Sequence, residues 1–595
     1  MMKLTPGLQY IAQLLVAVVA PATALVLVAY RFGALSILPT WQTCALLAAA
    51  VPLAFFLKVS FDRFLQRRRA EALGARLVPC VKGRWIGNVD ILRKFLQKAE
   101  EDYMCSYPEE LSKQLGKIFN LRFLWDDVIL TSEPSHVKTM LATDFANWVK
   151  GEQLDKTIKS VLGSGVFNSD GDLWKLHRSM TRPFFTHDRI GHFDIFDAHA
   201  ETAIRIAKDR LREGHPIDFQ DLISRFTLDS ATEFLFGDCS HTLQTSLSYP
   251  FNANLTAEEQ EDRKQGRGTE LFSEAFGQAQ LALSKRMAFG GTWPLFEMLE
   301  DKTDEPMKIV HEFLEPIVAE AIAKRETEGD AGKRGSTEKM EVQEGDTLLD
   351  HLVRLTTDRV VLRDEVLNIM IAGRDTTAST LTSAIYFMAM YPHVMDRLRE
   401  EVLTRVGSSR RPTYDDIRDM KYLRAILNET LRLFPAVPFN ARQTTKDTTL
   451  PSPEPGEKPI FVPRNTMVMY SVMMMHRRKD LWGPDADEFD PDRFLDERLH
   501  KYLVPNPFIF LPFNAGPRIC LGQQFAYNEM SFMLIRLLQN FSRIDLASDA
   551  LHPDAHPPAH WKNGLGRAPI EKFQPATRLT LFAKGGMWVR MTEAE

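Results

Sequence analysis

The sequence predicts a mainly α-helical fold with a smaller β part, preceded by N-terminal transmembrane helices. Three observations carry that reading. Two long runs near the N-terminus hold no charged residue, the chain from about Pro79 onward is dominated by amphipathic stretches of helical period, and extended segments are short and scattered. With 595 residues, 44% hydrophobic and 25% charged, the chain can bury a large core. A formal net charge of −5 argues against a general nucleic-acid binder. Five cysteines with no CxxC pair leave no zinc knuckle or thioredoxin-like centre and suit a reducing compartment.

Residues 4–30 and 32–57 carry no charge, and each run exceeds the roughly 20 residues that cross a bilayer core as a helix. A secretory leader has a shorter apolar region and a small-residue cleavage site, so residues 1–62 read as a retained membrane anchor of one or two transmembrane helices. Pro21, Pro39 and Pro52 interrupt the runs. Arg63, Arg67, Arg68 and Arg69 follow in a basic linker, residues 63–78, and the positive-inside rule then places the remainder in the cytoplasm. On that topology the acceptor-like triplets beginning at Asn254, Asn428 and Asn540 are chance matches.

Residues 79–595 read as one domain without a fixed-period repeat. Residues 256–270 and 324–346 are charged surface insertions; the second has no aromatic residue, leucine or isoleucine and is expected to be disordered. Residues 552–558, HPDAHPP, form a third irregular insertion whose histidines read as loop residues.

The chemistry concentrates in residues 512–529, PFNAGPRICLGQQFAYNE. Cys520 stands between Gly516 and Gly522, follows Arg518, and precedes a helical pattern through Phe525, Ala526 and Met530. Glycine lets backbone approach a flat ligand closely, and a cysteine just ahead of a helix meets free N–H groups that favour its thiolate. A lone thiolate held in this way suits an axial haem ligand. A buried structural cysteine is the bland alternative, and the spacing Phe513-x-x-Gly516-x-Arg518-x-Cys520-x-Gly522 argues against it. Residues 372–377, AGRDTT, fall inside a helical pattern beginning near Leu362. Glycine there costs up to ~1 kcal/mol relative to alanine, and Thr376, Thr377 and Thr380 add to the penalty, so a functional distortion is expected. Glu429 and Arg432 form an i,i+3 pair, Pro491-Asp-Arg493-Phe494 follows, and Trp174-x-x-x-Arg178 lies on a helical pattern over residues 172–180.

The stretch from Phe513 to Gly522 resembles the cysteine signature of the cytochrome P450 haem-thiolate monooxygenases, and the other three motifs occur in that family's order. The resemblance covers roughly residue 79 to the C-terminus. It implies haem b (iron-protoporphyrin IX) with Cys520 as axial iron ligand in a loop shaped by Phe513, Gly516 and Gly522. It also implies Asp375 and Thr376 as an acid–alcohol pair that delivers protons during dioxygen activation. Trp174, Arg178, Arg442 and Arg518 match positions that meet the haem propionates, while Glu429, Arg432 and Arg493 match a structural network behind the haem. Thiolate ligation leaves His177, beside Arg178, a secondary place. No G-x-x-x-x-G-K-[ST] or complete G-x-G-x-x-G is present, so electrons must come from another protein. The resemblance implies NADPH-cytochrome P450 reductase, allows cytochrome b5 as a second donor, and implies the endoplasmic reticulum membrane with the catalytic domain facing the cytoplasm.

The wording around these motifs looks like the fungal alkane- and fatty-acid-hydroxylating branch, and the long anchor with the PPAHWKNG insertion near Pro557 suggests a basidiomycete-like relative. The activity implied is NADPH- and O2-dependent hydroxylation of apolar substrates, fatty acids or n-alkanes near the chain end. The alternatives are a broad-specificity hydroxylase of xenobiotic or polycyclic aromatic hydrocarbons, a haem-thiolate isomerase or dehydratase of hydroperoxides, and a non-catalytic haem- or lipid-binding membrane protein. Phe272, Phe276 and Phe289 fall in the family's lid region, Val437, Pro438 and Phe439 beside its haem, and Met370, Ile371 and Ala372 just before the relay. All are apolar, as a hydrocarbon site requires, although each phenylalanine also reads as ordinary core. Replacing Cys520 with alanine should abolish both the thiolate-type haem spectrum and turnover; a variant that kept that spectrum would place the ligand elsewhere.

Overall fold

The computed structural model describes residues 4–32, 39–185, 193–256, 267–328 and 346–595. Helices dominate and sheet is confined to short pieces. The N-terminal runs form α1 (Pro6–Arg31) and α2 (Thr40–Ala72), which pack on each other. Among the described residues no helix is long and apolar enough to cross a membrane; Pro52 lies inside α2 and charges begin at Lys58. The basic residues expected in a linker, Arg63 and Arg67 to Arg69, lie in the last turns of α2. No glycine or proline follows Pro52 until Gly74, so nothing ends the helix earlier.

Further along come α3 (Val89–Glu101), α4 (Ser106–Leu115), α5 (Gly151–Leu162), α6 (Gly171–Thr181), α7 (Asp194–Arg212) and α8 (Phe219–Phe236). They are followed by α9 (Arg267–Phe289), α10 (Asp304–Glu328), α11 (Leu348–Leu355) and α12 (Arg359–Met390). The two charged insertions fall mostly outside the described residues, at 257–266 and 329–345; the start of the second, residues 324–328, is still helical in α10.

The longest of the buried helices, α12, begins at Asp358, whose carboxylate accepts from the Val360 and Val361 N–H groups. It is buried on nearly every face from Leu362 to Met388, as a central helix should be. Its two halves serve different cores. Leu362 to Ile371 pack with α5, α9, α10 and α11, whereas Ala378 to Met388 pack with α7, α8, α13 (Lys421–Leu433) and α14 (Gln523–Asn540). Residues 372–377, between the halves, belong to neither cluster.

A five-stranded sheet supports one side of this region. In chain order its strands are β1 (Ile118–Asn120), β2 (Ile129–Thr131), β3 (Trp148–Val149), β4 (Phe439–Thr444) and β5 (Met467–Ser471), arranged β1-β2-β5-β4-β3. Only β2 and β5 run parallel. Strand β4 carries Arg442 opposite Val468 of β5, and β3 leads directly into Lys150. Near the C-terminus β6 (Phe541–Leu546) pairs with β9 (Trp588–Glu593), and β7 (Pro575–Thr577) with β8 (Leu581–Ala583) form a hairpin.

Glu429, Arg432 and Arg493 do meet. Arg432 holds Glu429 through two hydrogen bonds of 2.7 Å, with both side chains fully buried. Its remaining donors go to the carbonyls of His476, Ala486 and Glu488. Arg493 lies 3.5 Å from Glu429 and donates to the carbonyls of Trp482 and Asp485. His476 passes the network on: its Nδ1 is 3.2 Å from the Arg432 carbonyl, and its Nε2 accepts from the Leu511 N–H at 2.9 Å. Burial pushes His476 down to about 3, helped by Arg432, so the ring stays neutral with its proton on Nδ1. Leu511 immediately precedes the cysteine loop. Removing Glu429 as Glu429→Ala leaves the buried Arg432 guanidinium without a carboxylate, while Arg493 keeps Asp485 at 3.0 Å, and should cost about 3–5 kcal/mol; the readout is the unfolding midpoint in denaturant, and an unchanged midpoint would refute the role given to the pair.

Candidate active site

A cavity of about 1210 Å³ lies where the two cores part. Single ligand pockets usually span about 300–1,000 Å³, so there is space for a flat cofactor and a second molecule. It is lined by residues 512–514 and 518–522 of the cysteine loop, by Ala372, Gly373, Thr376, Thr377 and Thr380 of α12, by Val437 to Arg442, and by the turn between β7 and β8.

The loop is bent by two residues of positive φ, Asn514 (65°) and Gly516 (68°). A Cβ on Gly516 would sit 1.8 Å from the Leu141 carbonyl oxygen, so only glycine fits there. Gly516 itself is absent from the cavity lining and acts from behind the loop. The Tyr470 hydroxyl donates to Asn514 Oδ1 at 3.0 Å, the Cys520 N–H donates to the Phe513 carbonyl at 3.0 Å, and Arg178 donates to the Ile519 carbonyl at 2.9 Å. The Cys520 side chain is open to the cavity but walled in by protein. Burial pushes its thiol up, against the downward pull of the Gly522 N–H and Arg178. The helix terminus expected to favour the thiolate is therefore outweighed by desolvation, and a coordinated metal ion would be what deprotonates it.

Around the same cavity stand Lys150, Arg178, Arg442 and Arg518. Asp170 meets part of this charge: it accepts from Arg518 at 2.6 Å and from the N–H groups of Lys150 and Gly151. Arg442 is fully buried, its Nη1 donating to the Ala441 carbonyl, while Nε and Nη2 have no hydrogen-bond partner among the described residues. Lys150 is pushed well below its ordinary value by burial and then by Arg442 and Arg518. Burial likewise lowers Arg518 to about 10, although Asp170 opposes it. The Arg518 guanidinium lies 4.4 Å from the ring centroid of buried Trp174. Buried cations without partners are costly, so this side of the cavity is built for an anion. A thiol at a glycine-bearing loop beside cations that await carboxylates fits haem b with its two propionates. All of the predicted cofactor residues except Gly516 line the cavity, and Lys150 is an addition that the sequence signalled only weakly, as a lysine between a two-residue strand and a helix.

On α12 the expected distortion is absent. The Thr376 hydroxyl donates to the Ala372 carbonyl at 2.7 Å and that of Thr380 to the Thr376 carbonyl at 2.9 Å. These bonds absorb the threonines into a continuous helix. Thr376 lines the cavity and Asp375 does not. The Asp375 carboxylate instead accepts from Gln280 of α9 at 2.5 Å and lies 3.6 Å from Arg374; Arg578, in the turn between β7 and β8, is drawn to it from the cavity wall. The acid and the alcohol are neighbours in sequence with different partners.

Among the predicted substrate residues, Ala372, Val437 and Phe439 line the cavity, as do Ile371, Pro438 and Phe289. Phe272, Phe276 and Met370 do not: they are buried in the core, where Phe272 packs on Phe313 at 4.3 Å between ring centroids. His177 is also turned away, paired with Glu365 at 2.6 Å, both side chains buried. Reading the sequence missed Gln280 and His476, which carry no motif, and Glu529, the one carboxylate on α14.

A family model described as Cytochrome P450 matches residues 87–558. Cytochrome P450 52-E3 of Starmerella bombicola is 34% identical over 504 residues, 82% of this chain and 89% of that relative. Cytochrome P450 52A9 of Candida maltosa is 38% identical over 465 residues, 76% of this chain and 82% of its own length. Cytochrome P450 monooxygenase himC of Aspergillus japonicus is 36% identical over 485 residues, 81% of this chain and 77% of its own.

Glu529, buried on α14 between the cavity-lining Ala526 and Met530, gives the stability of the fold a pH dependence. Burial pushes its carboxyl from 4.5 up to about 8, against the pull of the Thr377 hydroxyl. Between those values the unfolded chain is ionised and the folded one protonated, so stability falls as pH rises through that window. Glu529→Gln should make the unfolding midpoint fall less steeply between pH 4.5 and about 8 and gain most at the alkaline end; a profile parallel to that of the wild type would assign the titration to other groups, such as Asp218.

Proposed function

The chain belongs to the cytochrome P450 family and is a haem-thiolate monooxygenase acting on apolar substrates, and from that premise we propose that it hydroxylates fatty acids or n-alkanes near the chain end. The observation that carries the proposal is one cavity with two chemically opposite sides. Arg442 keeps Nε and Nη2 without a protein partner among the described residues on the side of Cys520, with Lys150, Arg178 and Arg518 beside it, while Ile371, Ala372, Val437, Phe439 and Phe289 present apolar surface elsewhere. Kinship with the Starmerella and Candida proteins, through the resemblance noted in the sequence, favours chain-like hydrocarbons.

Cys520 Sγ would hold the haem iron, Arg442, Arg518, Arg178 and Lys150 the propionates, and Trp174 would stack beside them. When bound, the haem supplies dioxygen activation at an iron held by thiolate. Phe513 and Gly522 let the ring approach the loop, and Gly516 fixes the loop against Leu141. The Thr376 hydroxyl, on leaving the Ala372 carbonyl, would offer a proton into the cavity, and the Asp375 carboxylate, once Gln280 yields it, would pass Thr376 a replacement proton taken up from solvent. Glu429, Arg432 and Arg493 hold the loop in register. Apolar side chains exclude water and bind the hydrocarbon by area alone.

Electrons would come from NADPH-cytochrome P450 reductase, with cytochrome b5 as a second donor. Residues 79–595 form the haem domain, and residues 1–62 anchor it to the endoplasmic reticulum membrane with the domain facing the cytoplasm. Leu14, Leu15, Val16, Val28, Trp41, Leu53, Phe56 and Leu57 are exposed along α1 and α2, an apolar surface that lipid would cover. The Thr5 hydroxyl and Gly7 N–H bond to the Met298 and Glu297 carbonyls, and Arg76, just past α2, pairs with Ile460. Both open ends of the helix pair thus lie at the domain, which supports a hairpin of two crossings.

The test is turnover of dodecanoic acid in membranes with a fungal reductase and NADPH, locating the hydroxyl by mass spectrometry. Hydroxylation near the chain end supports the reading; no product with an intact thiolate spectrum overturns the chain-like substrate and favours bulkier hydrocarbons. Thr376→Ala should keep the haem spectrum, cut product by about a hundredfold and divert NADPH into peroxide. Full coupling in that variant would remove Thr376 from the relay.

A further inference from the structure

The segment between β6 and β7 is more than an irregular insertion. Its first half packs Ala550, Leu551 and Ala555 on Trp588 of β9. Its second half is clamped by ions: Arg567 donates to Glu571 at 2.6 Å, and both side chains are fully buried. Glu571 also accepts from the Tyr386 hydroxyl of α12 at 2.5 Å, and Arg567 donates to the Asp487 carbonyl at 2.6 Å. Between these anchors stands Trp561, 4% exposed and yet part of the cavity lining. Its ring meets Tyr103 edge-on at 5.2 Å, and its Nε1 donates to the Glu101 carbonyl at 3.0 Å. The Tyr103 hydroxyl accepts from Arg477 at 2.8 Å. Exposed Ala99, Glu100 and Lys584 line the cavity too and mark where it reaches the surface, Ala99 and Glu100 directly before the residue that Trp561 holds.

The polar atoms of Trp561 and Tyr103 are thus already used by the protein, and toward the cavity the pair offers only ring surface. Such a surface selects by shape. Its support is buried and ionic, so it cannot fold away cheaply. We propose that residues 548–573 form a fixed wall at the entrance of the substrate cavity and that Trp561 sets the length or bulk of the apolar ligand admitted. The wall rests on the apolar-substrate reading above, and Trp561 lies beyond the span that the family model matches.

The experiment is spectral titration of the full-length holoenzyme in membranes with saturated fatty acids from decanoic to octadecanoic, and separately with naphthalene, phenanthrene and pyrene. Trp561→Ala should move the tightest binder to a longer chain or larger ring, lowering the Kd ratio of octadecanoic to dodecanoic acid about tenfold, since each buried methylene is worth roughly fourfold. Equal weakening of every ligand, or an unmoved optimum, overturns the wall. If Trp561→Ala fails to hold haem, Trp561→Phe decides: a smaller shift in the same direction supports the proposal, and an unchanged order overturns it. Wild-type enzyme that binds only the aromatic series refutes the fatty-acid reading alone, with the wall then judged on that series. Binding of neither series overturns both.

Discussion

The fully buried Glu429–Arg432–Arg493 network is the constraint on which the position of the reactive cysteine depends. Taking three such charges out of water is expensive, and an apolar packing of equal volume would serve stability as well or better. What the network provides is position. Arg432 fixes the carbonyls of three residues that are remote in sequence, and His476 carries that order to the Leu511 N–H, the last residue before the loop. Because His476 is held neutral by burial, this link does not titrate near neutral pH. From Leu511 the chain turns through Asn514 and Gly516, braced on Tyr470 and Leu141, and delivers Cys520 to the cavity.

The opposite requirement, room, is met by α12. A central helix usually buries one continuous core. Here its two halves belong to two cores, and Ala372, Gly373, Thr376 and Thr377 between them line the cavity instead. Small side chains at Ala372 and Gly373 keep that face low, and the Thr376 and Thr380 hydroxyls bond back to the helix. The helix pattern is unbroken for this reason, so the cavity is made by what the side chains leave out rather than by bending the backbone.

Much of this was legible in the sequence. The cysteine loop, the α12 motif and the Glu-x-x-Arg pair are local patterns, each bound to a spacing, and the structure brings their residues to one region. Mainly helical architecture followed from periodicity in the same way. Contacts between distant segments left no such trace. Gln280 finds Asp375 across 95 positions, and Trp561 finds Glu101 across 460. Phe272 and Phe276 show the converse limit: an apolar residue in a lid-like region has the same composition whether it faces a ligand or a core, and here both face Phe313 or each other. The Cys520 thiol adds a third case, because its surroundings include a favourable helix terminus visible in sequence and a burial that only the folded chain sets.

The polar atoms around the cavity divide by what they are left free to do. Near the cysteine, Arg442 keeps two donors without protein partners and Lys150 is held among other cations, an arrangement that is unfavourable until an anion arrives. On the remaining walls the hydroxyl of Thr376, the indole N–H of Trp561 and the phenol of Tyr103 are all engaged by the protein. At those three groups a polar substrate would gain little, because each hydrogen bond it made would cost one already formed; the Thr377 hydroxyl and Arg578 Nε are exceptions on these walls. A hydrocarbon loses nothing and gains the buried area. Selection for apolar ligands thus arises from satisfied polar groups such as Thr376, Trp561 and Tyr103 as well as from the apolar ones, while the unpartnered donors of Arg442 suit the other side to a charged cofactor.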